Sequence, residues 1–354
     1  MTMPIHVFDF FSGCGGTCQG FQDAGMVIMS AIDNDNDSQA TFHHNFPNSS
    51  LHSHNIEDIA VEDLQLLVNQ CEGHPILFSV SAPCQPYTNQ KTNKALNDPR
   101  LNLLDEFTRF AEHYLPDYVF LENVPGLQRI TSEDNPFNRL LTMLENNGYE
   151  SNYDIIRARD YGVPQRRKRL VLIASRHGVI HFPPKTHGPN TEHEEYSKVV
   201  EWMSDLPSIE AGTSDSTVPN HIAAALTPIN YRRIVNTSIN GGGRGDWPDE
   251  LKLTCHSNGY KGHTDVYGRM SWDSTASCLT TRCTSISNGR FGHPEQNRAI
   301  SAREAACLQT FPRDFVFFGG ITSMARQIGN AVPPLLAQRF GEAFNNHFLH
   351  HREE

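Results

Sequence analysis

Between residue 5 and about residue 175, short apolar runs alternate with amphipathic stretches. No other feature constrains the fold as strongly. Val7-Phe8-Asp9-Phe10-Phe11 reads as a first strand, followed by a glycine-rich turn and a helix through Gly20–Ala24. Val27–Ile32 reads as a second strand that ends in Asp33. Val61–Asn69, Leu101–Tyr114 and Phe137–Asn146 carry apolar residues at helical spacing. Ile76–Ser81, Tyr118–Leu121, Tyr153–Arg157 and Leu170–Ala174 read as further strands. Strands that are apolar on both faces must be covered on both faces. The alternation therefore predicts an α/β fold, a doubly wound and mostly parallel sheet with helices on both sides.

The pattern changes near residue 176. Residues 181–293 are rich in Gly, Pro, Ser, Thr, Asn and His, and the flexible run Gly241-Gly242-Gly243-Arg244-Gly245 lies in the middle. This predicts a smaller, irregular domain with long loops, the kind of region that carries specificity. Helical periodicity returns at Ala302–Thr310 and Pro333–Phe348. The resulting division is a main domain over 1–180, an inserted domain over 181–293, and a segment over 294–354 that returns to the main domain. A chain of 354 residues is long enough for one large core and a smaller one.

The formal net charge of -11 argues against nucleic acid as a partner, but its distribution argues the other way. Arg157, Arg159, Arg166, Arg167, Lys168 and Arg169 face only one nearby acid, Asp160. Residues 220–290 carry eight Lys and Arg against five Asp and Glu. An acidic chain with a basic cleft is compatible with DNA. The eight cysteines include no Cys-x-x-Cys pair and no histidines placed to complete a zinc site, so no metal is predicted. Apart from Cys84 they read as small buried hydrophobes. No apolar run approaches the ~18 residues that span a bilayer, and the N-terminus lacks the pattern of a signal peptide. A cytoplasmic location is expected.

Three short segments carry chemistry. Phe11-Ser12-Gly13-Cys14-Gly15-Gly16 joins the first strand to the first helix, where glycines let a ligand approach the backbone and a helix N-terminus offers free N–H groups. Asp33, past the second strand, is placed to bind ribose hydroxyls. This turn suits either a plain tight turn or a nucleoside site. Pro83-Cys84-Gln85 follows the strand Ile76–Ser81, and Glu122-Asn123-Val124 follows Tyr118–Leu121. Residues just past strand ends line the ligand crevice of a doubly wound sheet. A thiol and a carboxylate would share that crevice and suit attack on a heterocycle by a thiolate, with an acid protonating the ring. The basic run Gln165-Arg166-Arg167-Lys168-Arg169 abuts the strand Leu170–Ala174, so alternate guanidinium groups should face one crevice and could grip phosphate or a pyrimidine carbonyl.

Taken together, these segments resemble the DNA (cytosine-5)-methyltransferase family over nearly the whole chain. Phe11–Gly16 is similar to its cofactor motif, Pro83-Cys84-Gln85 to its nucleophile motif, and Glu122-Asn123-Val124 to its acidic motif. Gln165–Arg169 matches its Gln-x-Arg-x-Arg motif. Arg303–Pro312 resembles the motif that supports the target-recognition domain, and Gln327–Pro334 the closing motif that packs back on the cofactor. The resemblance implies a sheet of the S-adenosyl-L-methionine-dependent type and methyl transfer to C5 of a flipped-out cytosine in duplex DNA. It implies Cys84 as nucleophile, Glu122 on N3, and Arg167 and Arg169 on the flipped nucleotide, Arg169 at carbonyl O2. For the cofactor it implies Phe11 stacking, Gly13, Gly15 and Gly16 in the turn, and Asp33 and Asn34 past the second strand. Asn55, Ile56, Pro83, Asn330, Ala331 and Val332 complete that set. Asn55 stands where the family usually has an aspartate, and its side-chain oxygen can still accept from the adenine amine. Tyr87-Thr88 replaces the usual Phe-Ser. Residues 181–293 would be the target-recognition domain, with Gln85, Arg166, Arg232, Arg233 and Arg244 as candidate DNA contacts. A restriction-modification, phage or defence setting follows, with a cognate endonuclease as a possible partner and a monomeric enzyme.

Two readings compete. An RNA (tRNA) cytosine-5 methyltransferase would carry similar motifs, although the long region before residue 298 favours a reader of duplex DNA. A catalytically silent DNA-binding regulator would keep the fold, but the intact Cys84, Glu122, Arg167 and Arg169 set argues against it. An amino-methyltransferase would need an Asp/Asn-Pro-Pro-aromatic loop. The nearest candidate, Asp134-Asn135-Pro136-Phe137, follows no strand and reads as a helix N-cap.

Overall fold

The computed structural model describes residues 3–83, 102–129, 135–254 and 264–351. Seven strands form one sheet: β1 (His6–Phe10), β2 (Val27–Ile32), β3 (Ser50–His52), β4 (Ile76–Val80), β5 (Tyr118–Asn123), β6 (Glu150–Arg157) and β7 (Lys168–Ser175). Their order is β3-β2-β1-β4-β5-β7-β6. The first five run parallel, while β7 is antiparallel to both β5 and β6. The helices are α1 (Gly16–Asp23), α2 (Asn36–Asn45), α3 (Gln65–Gln70), α4 (Leu103–Tyr114), α5 (Pro136–Asn146), α6 (Val200–Met203), α7 (Pro228–Val235), α8 (Ala302–Leu308), α9 (Ile321–Asn330) and α10 (Pro334–His351). The expected doubly wound, mostly parallel α/β sheet is therefore present. Among the described residues no helix is long and apolar enough to cross a membrane.

The chain packs into two compact units. The first comprises Met1–Arg157, Lys168–Lys185 and Val332–Glu354, and the second Ala158–Arg167 and Thr186–Ala331. The packing boundaries thus depart from the sequence division in three stretches, the shortest being 181–185, which packs with the first unit. Residues 158–167 and 294–331 group with 186–293, because their buried polar side chains bond there.

In the first unit, β1 and β5 are buried along their whole length and β4 at every residue but Ile76, as central parallel strands should be. Phe8, Phe10, Phe78, Val119 and Leu121 pack on one face against Phe107 and Phe110 of α4 and Phe137, Leu140 and Leu144 of α5. On the other face Phe120 meets Phe21 of α1 and Phe340 of α10. The edge strand β6 is mostly exposed and polar, which discourages pairing with another chain. Asn135 caps α5, its side chain accepting from Asn138 N–H, as its sequence context predicted.

The second unit has little regular structure. Its interior is organised by buried arginines that donate to backbone carbonyls. Arg269 reaches Thr237, Ile234, His293 and Gln296 carbonyl oxygens. Arg303 reaches those of Pro219, Pro312 and Phe315. Arg298 makes a two-pronged contact with both carboxylate oxygens of Glu304 at 2.7 Å. Ser301 and Glu304 form a reciprocal capping box at the start of α8.

Candidate active site

The first unit assembles most of the predicted residues at the C-terminal ends of its parallel strands. Glu122, second to last in β5, is 5% exposed. Its Oε1 lies 2.8 Å from Nε of Arg169 on β7, an ion pair whose alignment falls short of a hydrogen bond. The pair forms because β7 runs antiparallel to β5, with Glu122 opposite Val171 and Arg169 two residues earlier on β7. Arg169 also donates to Lys168 carbonyl. Asn123, to which the sequence assigned no task, donates to Ala82 carbonyl at 3.2 Å and accepts from Val124 N–H at 2.7 Å. This clamps the end of β5 to the chain leaving β4, one residue before Pro83. An amide directly after the acid was the available signal. Cys84 and Gln85 lie outside the described residues, and Pro83 is exposed.

The glycine-rich turn opens directly from β1. Phe11 adopts a left-handed φ of 59°, and Gly13 and Gly15 have φ of 54° and 93°. Gly15 caps α1, and a Cβ there would come within 2.4 Å of the Phe46 ring. Among the described residues, a Cβ on Gly13 would meet nothing within 4 Å, which leaves space above the turn. Asp33 ties the turn to β2: Oδ2 accepts from Gly13 N–H at 2.8 Å and Oδ1 from Asp35 N–H at 2.9 Å. Asn34 donates to Asn55 Oδ1 at 2.8 Å, and Asn55 donates to Asp58 at 2.9 Å. The side-chain oxygen assigned to adenine thus already accepts one hydrogen bond. Ile56 is buried beneath it. These residues suit a nucleoside: open space over a backbone turn, an acid at its edge and an amide pair beyond.

Beneath the turn lies Asp9, 1% exposed on β1. Its Oδ2 accepts from Cys18 Sγ at 3.1 Å, while Oδ1 has no hydrogen-bond partner among the described residues. Burial, reinforced by the nearby Asp33 charge, pushes its pKa up to about 7 despite help from Ser79 and Cys18. Burial also pushes Cys14 up to about 12 and Cys18 well above its usual value, so both are inert thiols.

The arginine motif divides its tasks. Arg166 is exposed. Arg167 is 1% exposed, and its guanidinium donates to the carbonyls of Gly329 at 3.0 Å and Ala331 at 2.9 Å, with longer contacts to Leu279 and Asn330. The crevice predicted for both alternate arginines therefore applies to Arg169, while Arg167 holds backbone. Gln165 acts similarly, donating to Leu308 carbonyl and accepting from Leu279 N–H. Asn330 and Ala331 lie at the end of α9 with their carbonyls facing Arg167, and Val332 is buried.

Among the expected DNA contacts, Arg232 is exposed and pairs with Glu250 at 2.8 Å. Arg233 is 9% exposed; it donates to Leu251 carbonyl and Asn230 and lies over the rings of Trp247 and Tyr267. Its head group is engaged internally, which corrects its assignment as a DNA contact. Arg244 is partly exposed.

A model for C-5 cytosine-specific DNA methylases matches residues 5–346. This chain belongs to that family. It uses S-adenosyl-L-methionine as methyl donor and acts on cytosine C5 in DNA. The chain is 37% identical to the type II methylase M.HgiDII of Herpetosiphon aurantiacus, across 98% of this chain and 97% of that protein. It is 31% identical to the type II methyltransferase M1.HphI of Haemophilus parahaemolyticus, across 96% of this chain and 87% of that protein. Among solved structures, a prophage-encoded E. coli chain described as a DNA modification methyltransferase superposes with a TM-score of 0.73. That match covers 98% of this chain and 99% of the other at 22% identity, a likeness of fold.

Proposed function

We propose that this methyltransferase modifies one specific duplex sequence through a covalent bond between Cys84 and cytosine C6. The observation that carries this reading is the buried Glu122–Arg169 pair, set beside the clamped chain that leads from β4 into Pro83-Cys84. The Cys84 thiolate attacks C6 of a flipped-out cytosine while Glu122 holds or protonates N3. C5 then becomes nucleophilic. Arg169 keeps the Glu122 carboxylate aimed and donates to carbonyl O2. Once C5 carries the methyl group, loss of its proton expels Cys84 and restores the aromatic ring. S-adenosyl-L-methionine, when bound, supplies the electrophilic methyl. Phe11, Gly13, Gly15, Gly16 and Asp33 would hold it, with Asn34, Asn55, Ile56, Pro83, Asn330, Ala331 and Val332 around it.

Arg167 is a positioning residue in this scheme, because its guanidinium holds the carbonyls of 329–331. Residues 186–293 serve as the target-recognition region, with Arg166, Arg232 and Arg244 on DNA. The setting is a cytoplasmic restriction-modification, phage or defence system with a cognate endonuclease, the enzyme acting as a monomer. Expression in a host without cytosine methylation, followed by base-resolution mapping, tests this reading. Methylation confined to one short motif, and absent with Cys84→Ser, is the expected result. A folded enzyme that leaves the genome unmarked but methylates tRNA would replace DNA by RNA as its substrate.

A further inference from the structure

The Gly241–Gly245 run lies in the second unit, and composition alone suggests a flexible loop. Its backbone is instead held from several sides. Arg290 Nη1 donates to the carbonyls of Gly241 at 2.8 Å, Gly242 at 3.0 Å and Arg269 at 3.1 Å. Its Nε is oriented by Asp265 at 3.1 Å. Gly242 carbonyl also accepts from Arg269 N–H at 3.0 Å. On the other side Asp246 accepts from the N–H groups of Ser238 and Gly243, both at 3.0 Å. Those bonds, Ser238 first, hold its carboxyl below the usual range. Glycine is required at Gly242, where a Cβ would stand 2.2 Å from Ser238 carbonyl.

The held loop borders a cavity of about 570 Å³. Arg244, Lys252 and Arg290 bring three positive charges to its lining against one from Asp249, and Trp247 forms an apolar wall. A groove of that charge beside a rigid backbone suits the acceptor-rich edge of a base pair. Arginine is the side chain that most often reads guanine, through O6 and N7, when held in a fixed direction. Fixing it beforehand leaves less freedom to lose on binding.

We propose that Arg290 is the positioning residue for DNA sequence readout. It fixes the 241–243 backbone and so aims Arg244 at a base edge. This rests on the functional reading above. The test compares wild type with Arg290→Ala, Gly268→Ala and Arg244→Ala. Gly268→Ala keeps the Arg290 charge but places a Cβ 2.7 Å from its Nη1 and 2.8 Å from its Cζ, displacing the head group. It also keeps the proposal testable if Arg290→Ala fails to fold.

For Arg290→Ala, KM for the preferred duplex should rise about tenfold while kcat at saturating DNA stays within about twofold. Its preference over duplexes with one changed base pair should fall about tenfold at one or two positions, the same positions that Arg244→Ala relaxes. Gly268→Ala should move both values the same way by less. Hydrogen exchange at the Gly242 and Gly243 amides should quicken in Arg290→Ala. Folded variants with unchanged base preference, or with equal loss on every sequence, would overturn the proposal, the second pointing to phosphate contact. Unchanged exchange would sink the positioning role alone. Wild type that methylates no duplex would instead sink the functional reading on which the proposal rests.

Discussion

The two units solve the problem of burying a chain in opposite ways. Among the twelve largest fully buried side chains of the described residues, eight are aromatics of the first unit: Tyr118, Phe8, Phe10, Phe21, Phe42, Phe78, Phe107 and Phe110. The other four are Arg167, Arg269, Arg298 and Arg303, all in the second unit. A sheet satisfies its own backbone, so apolar side chains can fill the space around it. Irregular loops leave carbonyls without partners, and an unpaired buried carbonyl costs about as much as a lost hydrogen bond. The five donors of a guanidinium can satisfy several carbonyls at once, which makes arginine the core residue of a loop-built unit. Such a unit can vary its surface loops while keeping its interior.

Breaking the buried arginine network should give the largest effect. Burial alone would raise the Glu304 carboxyl, but the Arg298 hydrogen bonds and charge outweigh it and hold it below the usual range. Arg298→Met would strand that charge and should cost about 3–5 kcal/mol in urea unfolding. All three tryptophans, Trp202, Trp247 and Trp272, belong to the second unit, so their fluorescence reports it. A loss below about 1 kcal/mol would show that the ion pair does not hold this interior.

Opposite responses to pH come next. Burial raises Asp9 from 3.8 to about 7, so folded Asp9 keeps a proton that the unfolded chain releases. The first unit should therefore lose stability as pH rises from about 4 to 7. Burial lowers His293 from 6.5 to about 4, so there the unfolded chain binds the extra proton. The second unit should lose stability as pH falls through the same window. Each slope integrates to roughly 2–4 kcal/mol at most. Asp9→Asn should flatten the far-UV ellipticity response and His293→Phe the fluorescence response. Slopes of one sign in both signals would end the contrast.

A smaller change is expected for Phe107→Leu, which trims the apolar core on α4 and should cost roughly 1–2 kcal/mol. It should move the ellipticity transition more than the fluorescence transition. Coincident shifts would mean that the two units unfold together. Smallest is the contrast between adjacent arginines. Arg232→Ala removes only an exposed pair and should change stability by less than about 0.5 kcal/mol. Arg233→Ala, which loses bonds to Leu251 and Asn230 and its packing on Trp247, should cost about 1–2 kcal/mol.

The same contrast explains what could be read from the residues. The strands β1, β2, β4, β5 and β7 were legible because each is a short apolar run, and α4 and α5 because their apolar spacing is helical. Helix α2 was not, since its buried positions include Ser38 and Thr41, and its clearest signal is the Asp35 cap. Strand β3 has only three residues. In the second unit, Arg232 and Arg233 are neighbours of identical type, yet one is exposed and the other is buried against two rings. No local pattern distinguishes them. Arg290 gave no sign of its task, because its partners lie 48 and 49 residues away at Gly242 and Gly241.

Residue order by itself determined the doubly wound sheet, the glycine-rich turn after β1, and the placing of Glu122 at a strand end. All of these depend on interactions within a few residues or on the repeating periods of strands and helices. Tertiary structure alone decided that Arg169 faces Glu122 while Arg167 holds the carbonyls of 329–331. It alone decided that Asp9 is buried with its pKa raised and that a glycine run is held from several sides. Those outcomes depend on which distant backbone groups are left without partners once the chain is packed, and local periodicity carries no record of them.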